Sequence, residues 1–384
     1  MVEIRPDASD SEIAAMRSSV RDLLTHRYGR SYVRTCDAQH KPPSEAFQAL
    51  ARLDCLGLNV PQEYGGSGLG AAAVAALLEE VGYAFLDLAF WLFRNLGHGS
   101  HTIGRFGTEA QKAQFLPRIA DGSISVCFAL TEPDSGSDAA AIQTKAVHTS
   151  DQDVVSGEKI FCSGFKVSDY VLTVTRTNRD GRKHDGMSLL LIPTSLPGVT
   201  ASPVETMGHW PLGTVLLHFD EVKVPEANRI GPEGGGWSVL MEVLAFERLC
   251  LSAARTGAAQ AALDDAVQYA KDREQFGRPI GSFQAISHKL ADMAVMVDIS
   301  RMLVTRFAER LQSGTASARD AATLKLFVSE SYKSVADMGL QVLGGYGYTN
   351  EYDLQRHFRE SRLGTIGAGT SEIQRNIIAK TLGL

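Results

Sequence analysis

The sequence is poor in the features that mark secreted, metal-binding, nucleic-acid-binding or membrane-spanning chains. Its five cysteines, Cys36, Cys55, Cys127, Cys162 and Cys250, are scattered, odd in number and without a C-x-x-C pair. That spacing excludes a zinc ribbon and a disulfide framework and fits free thiols in a reducing compartment. The ten histidines form neither H-x-x-x-H nor H-E-x-x-H, so no metal site is expected. A formal net charge of −6 offers no basic footprint for nucleic acid. The uncharged stretch Gly65 to Leu78 is too short and too rich in glycine to cross a bilayer, so no membrane insertion is expected. The first residues, M-V-E-I-R-P-D-A-S-D, carry acids where a signal peptide needs bases, and the closing T-L-G-L is not a peroxisomal address. The expectation is a cytoplasmic protein.

What is present is a globular composition, 44% hydrophobic and 21% charged, over 384 residues, which is long for one core and predicts two or three packed units. Residues 1–125 read as helical. Ile13, Met16, Val20 and Leu24 share one face, as do Phe47, Leu50 and Leu53 within a helix from Ala46 to Leu56. Ala71 to Val81 predicts a buried helix from which Glu79 and Glu80 emerge. Thr108 with Gln111 forms a capping box that opens another helix, limited by Pro117. From residue 126 to about 235 the pattern becomes short runs of Val, Leu, Ile and Thr: Val154-Val155, Lys159 to Cys162, Tyr170 to Thr177, Met187 to Ile192 and Thr214 to Phe219. With turn signals such as Asn178 to Gly181 between them, they predict an antiparallel β unit closing near Val224-Pro225. Residues 236–384 return to helical periods: Trp237 to Ala270, broken at Gly257; a face from Phe283 to Leu311, stopped at Ser313-Gly314; Ala321 to Leu343; and Ser371 to Leu382. The expected architecture is mainly α with a middle β domain, divided 1–125, 126–235 and 236–384.

Five stretches carry chemistry. Phe128 to Asp138, F-A-L-T-E-P-D-S-G-S-D, is a strand breaking into a loop of hydroxyls and free backbone N–H groups, donors suited to a polar ring edge or a phosphate. In Gly157 to Gly164, G-E-K-I-F-C-S-G, strand spacing puts Phe161 and Ser163 on one face, with Cys162 turned to the core. Asp272 to Gln284, D-R-E-Q-F-G-R-P-I-G-S-F-Q, offers the Arg273 fork to a pyrophosphate and Phe276 to an aromatic base. Leu340 to Gly347, L-Q-V-L-G-G-Y-G, is a helix ending in glycines, without the βαβ context of a nicotinamide-nucleotide site. Near the end, Ile366 to Gln374, I-G-A-G-T-S-E-I-Q, places Gly369 and Thr370 at a helix N-terminus, with Ser371 and Gln374 spaced as a capping box.

In their order these stretches resemble the acyl-CoA dehydrogenase family: its T-E-P-x-x-G-S-D loop, its K-x-W-I-T-N strand with Phe161 and Ser163 at the Trp and Thr places, its R-x-x-F-G segment, its G-G-x-G turn and its Y-E-G-T-x-x-I-Q motif. The resemblance implies an N-terminal helical domain, a β-barrel-like middle domain and a C-terminal four-helix bundle. It implies FAD as cofactor, contacted by Phe128, Leu130, Thr131, Gly136, Ser137, Phe161, Ser163, Arg273, Gln275, Phe276, Gln284, Gln341, Gly344, Gly345, Thr370 and Glu372. Substrate contacts would come from Ser137, Phe246, Arg248, Gly367, Ala368 and Gly369. Also implied are a homotetramer, a dimer of dimers in which Arg273 reaches the cofactor of a neighbouring chain, and an electron-transferring flavoprotein as acceptor. The reaction implied is α,β-dehydrogenation of an acyl thioester carried on coenzyme A or an acyl carrier protein. A flavin oxidase or reductase on the same scaffold, or a non-catalytic flavin or thioester binder, stand as alternatives.

One departure matters. Many members carry their catalytic glutamate just before G-T, and this chain has Ala368 there, with Gly367 in place of the Tyr. A methyl group abstracts no proton. Glu247 is the alternative base: its helical neighbours Val243, Leu244, Cys250 and Leu251 are apolar, an environment that raises carboxylate basicity. Relatives whose base lies on this helix, of isovaleryl and long-chain type, place it before an Arg, as Glu247 precedes Arg248. Glu372 is explained by helix-dipole compensation and Glu132 by bracing of its loop. The segment Arg94 to His101 is expected to border the pocket and is polar for an alkyl tunnel, which points to a short or medium acyl group with branching or polarity.

Overall fold

A computed structural model describes residues 10–384, so the N-terminal reading lies outside the described residues up to Asp10, where the first helix begins. The chain forms two compact units. One comprises Cys36–Gly70 and Trp91–Glu247, the other residues 10–35 with Ala71–Phe90 and Arg248–Leu384. The N-terminal helical region thus contributes to both.

The first unit is organised on an eight-stranded sheet. Its strands are β1 (Val126–Ala129), β2 (Lys145–Thr149), β3 (Gln152–Ser163), β4 (Tyr170–Arg176), β5 (Met187–Pro193), β6 (Val199–Pro203), β7 (Thr214–Pro225) and β8 (Arg229–Ile230). The spatial order is β6-β7-β3-β2-β4-β5-β8, with β1 beside β4. The two runs expected at Val154 and Lys159 are one strand, while β2, β6 and β8 were not legible. The sheet is not purely antiparallel, since β1 and β2 both pair with β4 in parallel. Strand alternation builds two cores. Val126, Leu172, Val174, Leu189 and Leu191 face one, shared with Phe115 and Ile119 of the Glu109–Ala120 helix. Their neighbours Cys127, Val171, Leu190 and Ile192 face the other, with Leu217 and Phe219 of β7.

The helix Glu109–Ala120 opens on the predicted box: Thr108 Oγ1 accepts from Gln111 N at 3.3 Å, and Gln111 Oε1 accepts from Thr108 N at 2.8 Å. Pro117 does not end this helix, which runs to Ala120. In the last turn a missing N–H costs a single bond, and Asp121 N still closes on Pro117 O at 3.0 Å. The helix expected over Ala46 to Leu56 spans only Ser44–Ala51, followed by a 3₁₀ turn at Cys55–Gly57.

The second unit is helical. Asp10–Arg27, Ala71–Ala84, Gln284–Gln312, Ala318–Leu343, Leu354–Gly364 and Ser371–Thr381 pack with the later part of the 37-residue helix Gly236–Asp272. Gly257 does not break that helix. A Cβ there would stand 1.9 Å from Glu79 O, and one at Gly82 would stand 2.1 Å from Ala254 O, so these glycines let two helix backbones touch. Glu79 and Glu80 do not emerge into solvent either. Both are buried and neutralised by Arg17, Arg21 and Arg301, with Arg301 Nε 2.7 Å from Glu79 and Arg17 Nη2 2.7 Å from Glu80. Distant arginines on other helices made these acids buriable, which no local pattern encodes.

Candidate active site

In the first unit, β1 leads through Phe128 into the loop from Leu130, and the loop is fastened to β3. Lys159, fully buried, donates to Leu130 O at 2.9 Å and to Glu132 Oε1 at 2.8 Å, and Ile160 N donates to Thr131 O at 2.8 Å. Glu132 also accepts from Gln143 N and Thr144 N at 2.6 and 2.8 Å. It is the brace expected of it. Burial opposes its charge, but Lys159 and these backbone donors hold the carboxyl below the usual range. Burial pushes Lys159 down to about 8, although Glu132 works against that shift. Beyond the brace, Gly136 and Ser137 are exposed.

The same fastening shapes the next motif. Pairing of β3 with β7 shifts register between Lys159 and Cys162, a bulge at which Phe161 takes φ +61° and stands 60% exposed. Ser163 Oγ lies 2.9 Å from Thr214 Oγ1. Phe161 and Ser163 thus present a flat ring and a hydroxyl pair, while Cys162 is in the core, where burial pushes its thiol up.

Glu247 is buried, and its Oε2 lies 3.6 Å from Nε2 of His98, itself buried. Neither atom has a hydrogen-bond partner among the described residues. Phe246, expected at the substrate, is buried and stacks on His101 with ring centroids 4.0 Å apart. The segment Arg94–His101 is a π-helix. Its polarity is mostly structural: Asn95 serves Ile124 O and Val126 N, and Ser100 serves Asn59 and Leu96 O. His98 was not singled out from sequence. Its only local signal is a histidine just past the apolar helix Leu86–Phe93.

In the second unit, Arg273 and Gln275 line a cleft of about 500 Å³ with Gly344, Gly345 and Tyr346, and the Arg273 guanidinium lies 5.7 Å over the Tyr346 ring. A Cβ on Gly344 or Gly345 would meet nothing within 4 Å, so the glycines leave open space. Gln275 pairs with Arg278 across a two-residue turn of Phe276 and Gly277, both at positive φ, +55° and +78°. This is the geometry of a type I′ hairpin with a phenylalanine where Asn or Gly is usual. Phe276 is 94% exposed. Gln284 and Gln341 are exposed, and Arg248 is buried.

The loop before Ser371–Thr381 differs from expectation. The cap is Thr370, whose hydroxyl accepts from Ile373 N at 3.2 Å. Ser371 and Gln374 form no box. Ser371 donates to Glu330 at 2.8 Å, and buried Gln374 donates to Gly369 O at 2.9 Å and Ala368 O at 3.3 Å. Buried Lys325 adds a 2.6 Å bond to Gly369 O. Ala368 takes φ +55° and Gly369 φ +83°, while Gly367 leaves room around its Cα. Glu372 is exposed, and its own backbone N–H and the Thr370 hydroxyl hold its carboxyl below the usual range. Among the described residues eight non-glycine residues have positive φ, and Phe161, Phe276 and Ala368 are three of them. Such strain concentrates where function requires it.

Taken each by itself, the exposed ring and hydroxyls of the first unit suit the edge of a flavin, and the cleft of the second unit, lined by Arg273 and two glycines, suits a pyrophosphate. Comparison with known proteins agrees. Family models for the acyl-CoA dehydrogenase N-terminal, middle and C-terminal domains match residues 10–123, 127–222 and 234–383. The probable acyl-CoA dehydrogenase YngJ of Bacillus subtilis (strain 168) is 39% identical over 344 residues, covering 88% of this chain and 90% of that one. Butyryl-CoA dehydrogenase from Megasphaera elsdenii superimposes with a TM-score of 0.93 at 31% identity, over 99% of this chain and 100% of that one. The FAD complex of PigA does so with 0.91 at 28% identity, over 99% of each chain. The chain belongs to the acyl-CoA dehydrogenase family and is an FAD-dependent oxidoreductase.

Proposed function

We propose that the protein catalyses α,β-dehydrogenation of an acyl thioester with Glu247 as the base. The observation that carries this reading is the buried Glu247 carboxylate, whose Oε2 lacks a hydrogen-bond partner. A buried carboxylate oxygen without a hydrogen bond is costly, and such a group suits a site where a proton must be taken. The rival Glu372 is exposed and held acidic, which suits a helix start and not a base. Bound FAD supplies the hydride acceptor. In the first unit Phe161, Ser163 and the loop from Leu130 would hold its ring, and in the second unit Arg273 would reach the pyrophosphate side of a neighbouring chain's FAD, beside Gln275 and Gly344-Gly345. In the second unit, Gln374 and Lys325 pin the carbonyls of Ala368 and Gly369, and the Ala368 N–H is left to donate to the thioester oxygen. Loss of the side chain at Ala368 therefore removes the usual base without removing that donor.

The same reading takes coenzyme A as the carrier, a short or medium branched or polar acyl group, a cytoplasmic location and an electron-transferring flavoprotein as acceptor. It also takes a homotetramer. Supporting that, Val295, Ile299 and Met302 lie at steps of four and three on one helix, 55%, 39% and 71% exposed, an apolar stripe suited to a second copy. Among the described residues no helix is long and apolar enough to cross a membrane.

The test is an anaerobic half-reaction. A panel of straight, branched and hydroxylated acyl-CoAs, with matching carrier-protein thioesters, is mixed with yellow holoenzyme, and bleaching is followed. Glu247→Gln should retain FAD and bind substrate, yet bleach slower by at least about 10²–10⁴-fold. Bleaching of that variant at the wild-type rate refutes Glu247 as base, and preference for palmitoyl-CoA refutes the substrate assignment.

A further inference from the structure

We propose that His98 is the positioning residue of Glu247: its Nε2–H bonds Glu247 Oε2 and leaves Oε1 as the oxygen that receives the proton. This rests on the reading of Glu247 as base. A neutral imidazole carries one N–H and one bare nitrogen, and burying both unpaired is costly. His98 does this at 2% exposure, with neither ring nitrogen hydrogen-bonded among the described residues. In the same π-helix Asn95 and Ser100 are each consumed by structural hydrogen bonds, and His98 is not. π-Helical turns are rare and recur at functional sites.

What holds the ring is aromatic. Phe128 stacks on it with centroids 4.5 Å apart at 23°, and Phe93 meets it edge-on at 4.9 Å. The slot fixes the ring plane without engaging either nitrogen. Nε2 is then 3.6 Å from Glu247 Oε2, and closing to hydrogen-bond length needs a movement of about 0.7 Å. The two segments are also joined by a second contact: Phe246, next to Glu247, and His101, three residues after His98, stack at 4.0 Å and 3°. The freedom that remains is rotation of the Glu247 side chain, which the His98 bond would end. In the reaction the α-proton passes to Glu247 Oε1 while the electron pair of the C–H bond stays on the substrate carbon. His98 keeps its own proton throughout, donating to the carboxylate before transfer and to the carboxyl carbonyl after it.

The experiment compares His98→Phe, which keeps a ring in the aromatic slot but no nitrogen, with His98→Gln, which restores an N–H donor. Holoenzyme is mixed anaerobically with the acyl-CoA that bleaches the wild type fastest. His98→Phe should lower the limiting bleaching rate on the order of 10²-fold, the cost of a misplaced reacting group, with the apparent Kd for the acyl-CoA little changed. His98→Gln should recover most of the rate. Independently of flavin, melting of apoprotein carrying His98→Phe, Glu247→Gln or both should give non-additive shifts, as for residues in one network. If Glu247→Gln is inactive while both His98 variants bleach like wild type and the melting shifts add, the positioning role is overturned and the base assignment survives. If Glu247→Gln itself bleaches normally, the base assignment fails and this inference fails with it. Equal slowing in His98→Phe and His98→Gln overturns the hydrogen bond and leaves His98 a packing residue.

Discussion

Glu247 and His98 face one another in a buried, aromatic-walled space with Oε2 and Nε2 3.6 Å apart and unbonded. In the same unit Glu132 and Lys159 form the opposite kind of buried pair, in direct contact at 2.8 Å with backbone partners on both sides. The contrast separates two uses of a buried charge. A saturated pair holds shape, and an unsaturated one fits the proposed role of Glu247 as base.

The saturated pair should behave as the clasp of the loop from Leu130, which is proposed to hold the flavin. Lys159→Met or Glu132→Gln alone leaves a buried partner uncompensated, a change that costs about 3–5 kcal/mol where the pair is fully enclosed. Either variant should lose that order of stability in urea and bind FAD more weakly by fluorescence titration. The double variant should cost clearly less than the sum. Additive losses would show that the two side chains act independently.

In the second unit Asp353 accepts two bonds at 3.0 Å from Arg34 and one at 2.9 Å from Arg356. Burial opposes the charge, but these arginines bring the carboxyl down to about 2, against an ordinary value of 3.8. A depressed folded value means that the folded state resists protonation. The stabilisation is complete above about pH 4 and is lost as pH falls towards 2, amounting to roughly 2 kcal/mol. Urea unfolding of wild type and Asp353→Asn at steps between pH 5 and 2 should therefore converge at the acid end. Curves that stay parallel would rule this linkage out.

The Phe276-Gly277 turn holds Phe276 at φ +55° with its ring 94% exposed, so folding of the isolated chain gains little from that side chain. An L-residue other than Gly, Asn or Asp costs about 1–2 kcal/mol in this region. Phe276→Asn should raise the melting temperature of apoprotein while weakening FAD retention and assembly, measured by flavin release and light scattering. Unchanged FAD retention would mean that the strain serves neither.

Much of the chain was legible because its rules are short-ranged. The Thr108–Gln111 box, the face-to-face alternation of β1, β4 and β5, and the ordered motifs that define the family each lie within a few residues and follow from helix and strand geometry. The motifs also located the strained Phe161 and Phe276, because an aromatic in each place is visible without coordinates. Where sequence reading failed, a distant partner had overruled a local rule. Gly257 looked like a break and is a helix contact, because only packing brings Glu79 O to its Cα. Ser371 looked like a cap, but Glu330 takes its hydroxyl and Thr370 caps instead. The sequence by itself determined the family, the order of helical and β regions and the nomination of Glu247. Only the tertiary structure decided that His98, far along the chain, would be turned by two phenylalanines towards that carboxylate, because side-chain orientation across a core is set by packing and not by spacing.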